Sequence, residues 1–359
     1  MLDLTERLGA SVIGATVYEM RAGEQLEPYH FHHGVEEWLY VVSGAPFLRD
    51  PDGERALEAG ELVALSSGPS GAHTVRGPGT VVMFSPGDGG WCEAFVSVYP
   101  DSDKTAAAPG VMFRRADAID TSLSDAGEAS AAMGHQRPAS GSRSPAINLM
   151  TASLESPPGQ GSRDGASVRK STLGPRLGAQ TWTATLYELA PDEATAAYHY
   201  EWCREKWALV VSGAPTLRHA DGQTMLSAGD ICCFPQGPTG AHRLRNDSDE
   251  PAGLIVLSTS TDRPTSTFYP DEERVLIYIS DRDRLLFRHD DSIGLLGRRA
   301  GRDVAARPAR ECSNHEPGAA GVPSLASSQH RHRHRSCSTW IHACPSAIAP
   351  NPHAPAIDR

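Results

Sequence analysis

Three side chains close together in the sequence can donate to a metal ion. They are His30, His32 and Glu37, in the run Tyr29-His30-Phe31-His32-His33-Gly34-Val35-Glu36-Glu37. His30 and His32 are two apart, so an extended strand presents both on one face. A fourth donor, His73, follows in Gly68-Pro69-Ser70-Gly71-Ala72-His73. Imidazoles with one carboxylate suit a borderline or hard divalent transition metal. Neutral imidazoles and a single carboxylate leave such an ion with net positive charge. If it prefers six ligands, two positions stay open for water, dioxygen or a chelating substrate. The chemistry within reach is Lewis-acid activation or, with iron, oxygen chemistry. Iron, manganese, nickel, copper and zinc all remain open. Glu36 is the rival carboxylate; it adjoins Glu37 and points the other way once a strand has begun. His33 should alternate away from His30 and His32 and is read as a non-ligand.

Donors like these need rigid strands behind them. Glu37 opens an apolar run, Trp38 to Val42, that reads as a buried strand. Thr16 to Met20, Leu62 to Leu65, Thr80 to Phe84, Phe95 to Tyr99 and Thr183 to Leu189 are further strand candidates. Asp50-Pro51-Asp52-Gly53 and Ala220-Asp221-Gly222 read as hairpin turns. Helical periodicity is scarce. Short strands between Gly/Pro turns predict an all-β sandwich or barrel.

Two motifs carry a family resemblance. His30-x-His32, four spacers, Glu37, six spacers and Gly44 resemble the first motif of the cupin superfamily. Gly60, Pro69, Gly71 and His73 resemble the second. The Tyr-His-x-His-His-Gly-x-Glu-Glu-Trp run is most similar to bacterial cupin type-2 proteins with no assigned reaction. The resemblance implies a jelly-roll barrel with one divalent ion held by His30, His32, Glu37 and His73. The spacing to Gly44 favours Glu37 over Glu36. No single reaction is implied, because the superfamily spans many activities and non-enzymatic binders.

The chain also repeats itself. Arg7-Leu8-Gly9-Ala10 returns as Arg176-Leu177-Gly178-Ala179, and Val41-Val42-Ser43-Gly44-Ala45-Pro46 as Val210-Val211-Ser212-Gly213-Ala214-Pro215. Gly71-Ala72-His73 returns as Gly240-Ala241-His242. The offset is 169 each time, 176 against 7, 210 against 41 and 242 against 73. That period is far beyond the ~20–50 residues of a solenoid repeat, so each copy should be a domain. The expected organisation is an N-terminal metal-binding cupin jelly-roll at 1–120 and a flexible linker at 121–175, rich in Ser, Gly, Ala and Pro. A C-terminal jelly-roll at 176–296 with a degenerate metal site follows, then a disordered His/Arg/Pro-rich tail at 297–359.

The second site is degenerate because Glu201 stands where His32 stood and Lys206 where Glu37 stood, while His199 and His242 remain. A protonated lysine has no lone pair to donate. A rearranged set of His199, Glu201, Glu205 and His242 is the alternative, or an anion bound by Lys206. In the tail, the alternating His/Arg run from His330 to Arg335, with Cys337, His342 and Cys344, could capture zinc adventitiously.

Composition bounds the rest. The 359 residues carry 39% hydrophobic and 21% charged residues, as a soluble globular protein would. A net charge of −11 makes non-specific nucleic-acid binding a poor prospect. No run approaches ~18 apolar residues, so no membrane span is expected. The start lacks the pattern of a signal peptide, and seven irregularly spaced cysteines do not suggest a disulfide scaffold. A cytoplasmic protein is the default. The expected partners are a small molecule, neither nucleic acid nor membrane, with a homodimer left open. The functional expectation is a divalent-metal-binding tandem protein. It would be an enzyme of dioxygenase, isomerase or decarboxylase type on a small organic or sugar-like substrate, or alternatively a non-catalytic small-ligand binder.

Overall fold

The computed structural model describes residues 1–87, 96–107, 111–118, 143–154, 168–179, 181–259, 264–280 and 283–292. Its regular elements there are β-strands and short 3-10 turns, with no α-helix among the described residues. The expected all-β class holds.

The first half builds a six-stranded antiparallel sheet. Its order is Leu2–Asp3, Ile13–Met20, Gly79–Pro86, Glu37–Gly44, Glu61–Leu65 and Ala146–Asn148. The opposing wall consists of a four-stranded sheet, Val111–Arg114, Lys104–Ala107, Val96–Tyr99 and Phe31–His33, and a three-stranded one, Gly53–Ala56, Phe47–Asp50 and Thr74–Arg76. An isolated bridge, His30 to His73, joins these two smaller sheets. The second half repeats the plan. A five-stranded sheet runs Arg169–Thr172, Trp182–Leu189, Ala252–Thr259, Lys206–Ser212 and Ile231–Phe234. It faces a four-stranded and a three-stranded sheet joined by the bridge His199 to His242. Strands Ile13–Met20 and Trp182–Leu189 correspond end for end at the offset of 169, as do Phe47–Asp50 and Thr216–His219.

The apolar run after Glu37 has an explanation in two cores. Leu39 and Val41 point into the first barrel, with Leu48, Leu57, Val63, Val75 and Val81. Trp38 and Tyr40 point the opposite way, as strand alternation requires. They join a second core shared by both halves, in which Trp38, Leu62 and Phe84 pack with Trp182, Leu186, Trp207 and Leu257. A strand buried on both faces must be apolar at every position. Trp38 and Trp182 lie 6.2 Å apart between ring centroids, and Phe84 and Trp207 6.0 Å. The Trp207 indole N–H donates to the Ile13 carbonyl at 3.2 Å.

The linker expectation for 121–175 fails in two places. Ala146–Asn148 pairs antiparallel with Glu61–Val63, Ser144 N–H donates to Asp50 Oδ2 at 3.0 Å, and Leu149 is buried in the shared core. Arg169–Thr172 pairs with Thr185–Glu188, and Leu173 is fully buried. The first barrel therefore uses residues beyond 120, and the second begins before 176. A three-residue strand with one buried leucine is enough to anchor a segment whose average composition reads as loose. Linker residues 121–142 and 155–167 and the tail at 297–359 lie outside the described residues. The outer strands Val111–Arg114 and Asp283–Arg288 are exposed throughout.

Candidate metal centre

Each candidate donor is set by backbone pairing. His30 and His73 exchange both backbone hydrogen bonds, at 3.0 and 2.7 Å, which clamps their side chains together. His32 lies in Phe31–His33, directly opposite Ser97. Glu37 begins its strand on the facing sheet, opposite Leu65. Gly71, two residues before His73, sits where a Cβ would come within 1.8 Å of the Ser66 carbonyl oxygen, so only glycine fits. Gly44, which closes the first motif, has φ +82° and its absent Cβ would lie 2.6 Å from Gly79 Cα.

The ring nitrogens are oriented for donation. Nδ1 of His30 lies 2.8 Å from the Pro28 carbonyl, and Nδ1 of His73 lies 2.8 Å from the Gly71 carbonyl. A carbonyl can only accept, so each Nδ1 carries its proton and each Nε2 keeps a lone pair. Nδ1 of His32 meets Ser97 Oγ at 2.8 Å. The free nitrogens then converge. His30 Nε2 and His32 Nε2 are 3.1 Å apart, and Glu37 Oε2 is 3.3 Å from His32 Nε2 and 3.5 Å from His73 Nε2. Donor atoms of His30, Glu37 and His73 all fall within 4.8 Å of one another. Outer partners that fix the tautomer while lone pairs gather around a carboxylate are the usual surroundings of a metal-binding histidine. The residues present fit a divalent ion.

Electrostatics agree with this. Burial pushes the Glu37 carboxyl up, but the His32 hydrogen bond and the three imidazoles overcome it and hold the pKa at about 2. Burial drives His73 down to about 4, against the opposing pull of Glu37. Burial also opposes charge on His32, but the Glu37 hydrogen bond outweighs it and leaves that pKa raised. Glu37 is thus a carboxylate and His73 a neutral imidazole near neutral pH, the forms a metal takes.

Beside these residues lies a cavity of about 100 Å³, walled in part by Thr16, Tyr18, Glu27 and Ser85. Tyr99 stacks on His30 with centroids 5.6 Å apart. Sequence reasoning missed Glu27, Ser97 and Tyr99. The recurrence of Tyr-Pro-Asp at Tyr99 and Tyr269 was the available signal for the last of them.

The rival carboxylate is elsewhere. Glu36 is buried and turned toward the other half, where its Oε1 accepts the Trp38 indole N–H at 3.2 Å and the Trp182 backbone N–H at 3.0 Å. Glu205 does the same in reverse. Its carboxylate accepts from Ser11 N–H at 2.7 Å, Val12 N–H at 3.1 Å and Ile13 N–H at 2.7 Å. The alternative second site using Glu205 is therefore not assembled. His33 sits edge-on to Phe31, outside the donor cluster.

In the second barrel the equivalent space holds its own cation. Lys206 Nζ lies 3.3 Å from His199 Nε2 and 3.0 Å from Glu201 Oε2. The second contact is an ion pair without good hydrogen-bond angles. Burial, then the Lys206 charge, pushes His199 down to about 4, and His242 is lowered chiefly by burial. The Nδ1–H groups of His199 and His242 still donate to the Ala197 and Gly240 carbonyls. The same pair of oriented histidines here stands beside a lysine rather than a carboxylate. The His/Arg/Cys run of the tail lies outside the described residues.

Two stacked β-barrels with imidazole clusters on their walls define a tandem double-sheet barrel protein. Residues 185–258, in the second barrel, match the family described as Cupin domain. No curated protein matches it. A sugar phosphate isomerase from a cupin superfamily, from Silicibacter pomeroyi, is 24% identical, covers 41% of this chain and 94% of its own, and has a TM-score of 0.35. A cupin 2 conserved barrel domain protein from Leptotrichia buccalis is 7% identical over 69% of this chain and 84% of its own, with a TM-score of 0.41. Oxalate decarboxylase from Bacillus subtilis is 15% identical over 71% of this chain and 70% of its own, at 0.39. Similarity at this level leaves the reaction to be read from the site.

Proposed function

We propose that the N-terminal barrel binds one divalent transition-metal ion through His30, His32, Glu37 and His73 and acts on a small organic molecule beside it. The supporting observation is the convergence of the three Nε2 atoms and Glu37 Oε2 next to a cavity. The reaction is of dioxygenase, isomerase or decarboxylase type. A bound ion would supply Lewis acidity to a ligand oxygen. The chain's own residues position that ligand: Thr16, Tyr18 and Ser85 offer hydroxyls on the cavity wall, and Leu26, Val75 and Met83 exclude water. The Lys206–Glu201 ion pair leaves the second barrel a structural role.

The test is elemental analysis of purified, dialysed protein and of its His32→Ala and Glu37→Ala variants, followed by oxygen-uptake and substrate screens. About one ion per chain is expected, lost in both variants. Full metal content in the variants would show the assignment to be wrong.

A further inference from the structure

Glu27 and Glu37 are the two carboxylates on the cavity wall. Glu27 Oε2 lies 3.4 Å from His30 Nε2, a lone pair already assigned to the metal. Its backbone is pinned, because its carbonyl accepts from Thr74 Oγ1 at 2.5 Å and from Gln25 Nε2 at 2.8 Å. Its side chain is half-exposed, at 52%, against 13% for Glu37. The other barrel gives an internal comparison. The residue 169 positions on is Ala196, in the same barrel where Glu201 replaces His32 and Lys206 replaces Glu37. The carboxylate arm and the full donor set are present together in one barrel and missing together in the other.

We propose that Glu27 is a fifth, displaceable donor to the ion held by His30, His32, Glu37 and His73, and that its natural competitor is a small anion chelating through two oxygens. This rests on the reading of that centre as a metal site. Charge argues for an anion. A divalent ion with three neutral imidazoles and two carboxylates is neutral overall. A ligand that displaces Glu27 must bring negative charge, or it leaves a net positive centre in a mostly buried site. Coordination argues for two oxygens, because four protein donors leave two positions on a six-coordinate ion.

The test is cobalt(II) loading of the full chain and of Glu27→Gln and Glu27→Asp, read by visible absorption and by cobalt affinity, with glycolate as the probe anion. Glu27→Gln should weaken cobalt binding about tenfold, the scale of losing a supporting group at a metal site, and change the absorption spectrum. Glu27→Asp should behave like Glu27→Gln, because it keeps the charge but is one methylene too short. Glycolate should bind the Glu27→Gln protein more tightly than the parent, since its competitor is gone. A cobalt spectrum unchanged in Glu27→Gln, or Glu27→Asp matching the parent, would overturn the proposal and leave Glu27 as a nearby charge. Failure of the parent chain to take up cobalt would overturn the metal centre itself, and Glu27's role with it.

Discussion

Glu36 and Glu205 stand 169 residues apart, and each holds the backbone of the other half. Glu36 Oε1 accepts the Trp182 N–H at 3.0 Å, and Glu205 Oε1 accepts the Ile13 N–H at 2.7 Å. Ile13 and Trp182 are themselves equivalent positions, so the two ties form a reciprocal pair. Each glutamate also precedes the central residue of its own barrel, Glu37 or Lys206.

These ties should be stabilising without being metal ligands. Glu205→Ala leaves the backbone N–H groups of Ser11, Val12 and Ile13 without their carboxylate, and should cost about 1–3 kcal/mol for each buried donor left unpaired. Glu36→Ala should also lower stability while leaving metal content intact. Urea denaturation and elemental analysis check both. Metal loss in Glu36→Ala would return it to the ligand set.

The second barrel's ion pair makes a two-part prediction. Glu201→Ala strands a buried ammonium beside a neutral imidazole, and should destabilise by about 3–5 kcal/mol. Combining Glu201→His with Lys206→Glu restores the donor pattern of the first barrel on a frame whose histidines are already oriented. That double variant should bind a second ion. A folded double variant that still binds one ion per chain would show that more than these two residues separate the barrels.

Acid should loosen the second barrel. The folded chain holds His199 at about 4 and His242 below its ordinary value, against 6.5 when unfolded. Between those values the unfolded chain binds protons that the folded chain refuses, so stability is full above about pH 6.5 and falls toward pH 4. At about 1.4 kcal/mol per pKa unit, His199 alone accounts for on the order of 3 kcal/mol. His73 acts in the same direction, whereas His32, whose value is raised, gains stability from protonation. Urea midpoints with chelator present should fall from about pH 7 to about pH 5; a flat profile contradicts the assignment.

Leu149 tests the strap that begins at Ser144. Its side chain is 4% exposed in the shared core, so Leu149→Ala should cost about 2–5 kcal/mol. A change within about 0.5 kcal/mol, typical of surface sites, would make the segment a linker after all.

The all-β class and the clustering of His30, His32, Glu37 and His73 were legible, because these residues sit at fixed spacings on or beside short strands. The altered residue set of the second barrel was equally visible, as a charge reversal at Lys206 and a glutamate, Glu201, at the position of a histidine. Three features were hidden. Glu36 could not be placed, because alternation says only that it faces away from Glu37, and the space beyond that face is filled by another domain. Glu27 lies in a loop with no periodic signal before the first histidine. Ala146–Asn148 is too short to lift the average of the polar sequence around it.

The shared core has a consequence for synthesis on the ribosome. Trp38 and Phe84 acquire their neighbours Trp182 and Trp207 only after well over a hundred further residues have been made. At ~5–20 residues per second, the nascent first barrel presents an uncovered aromatic wall for on the order of ten seconds or more. Expression yield should therefore depend on chaperone supply and growth temperature. A message cut short after the first barrel should give an aggregation-prone product rather than a small working protein.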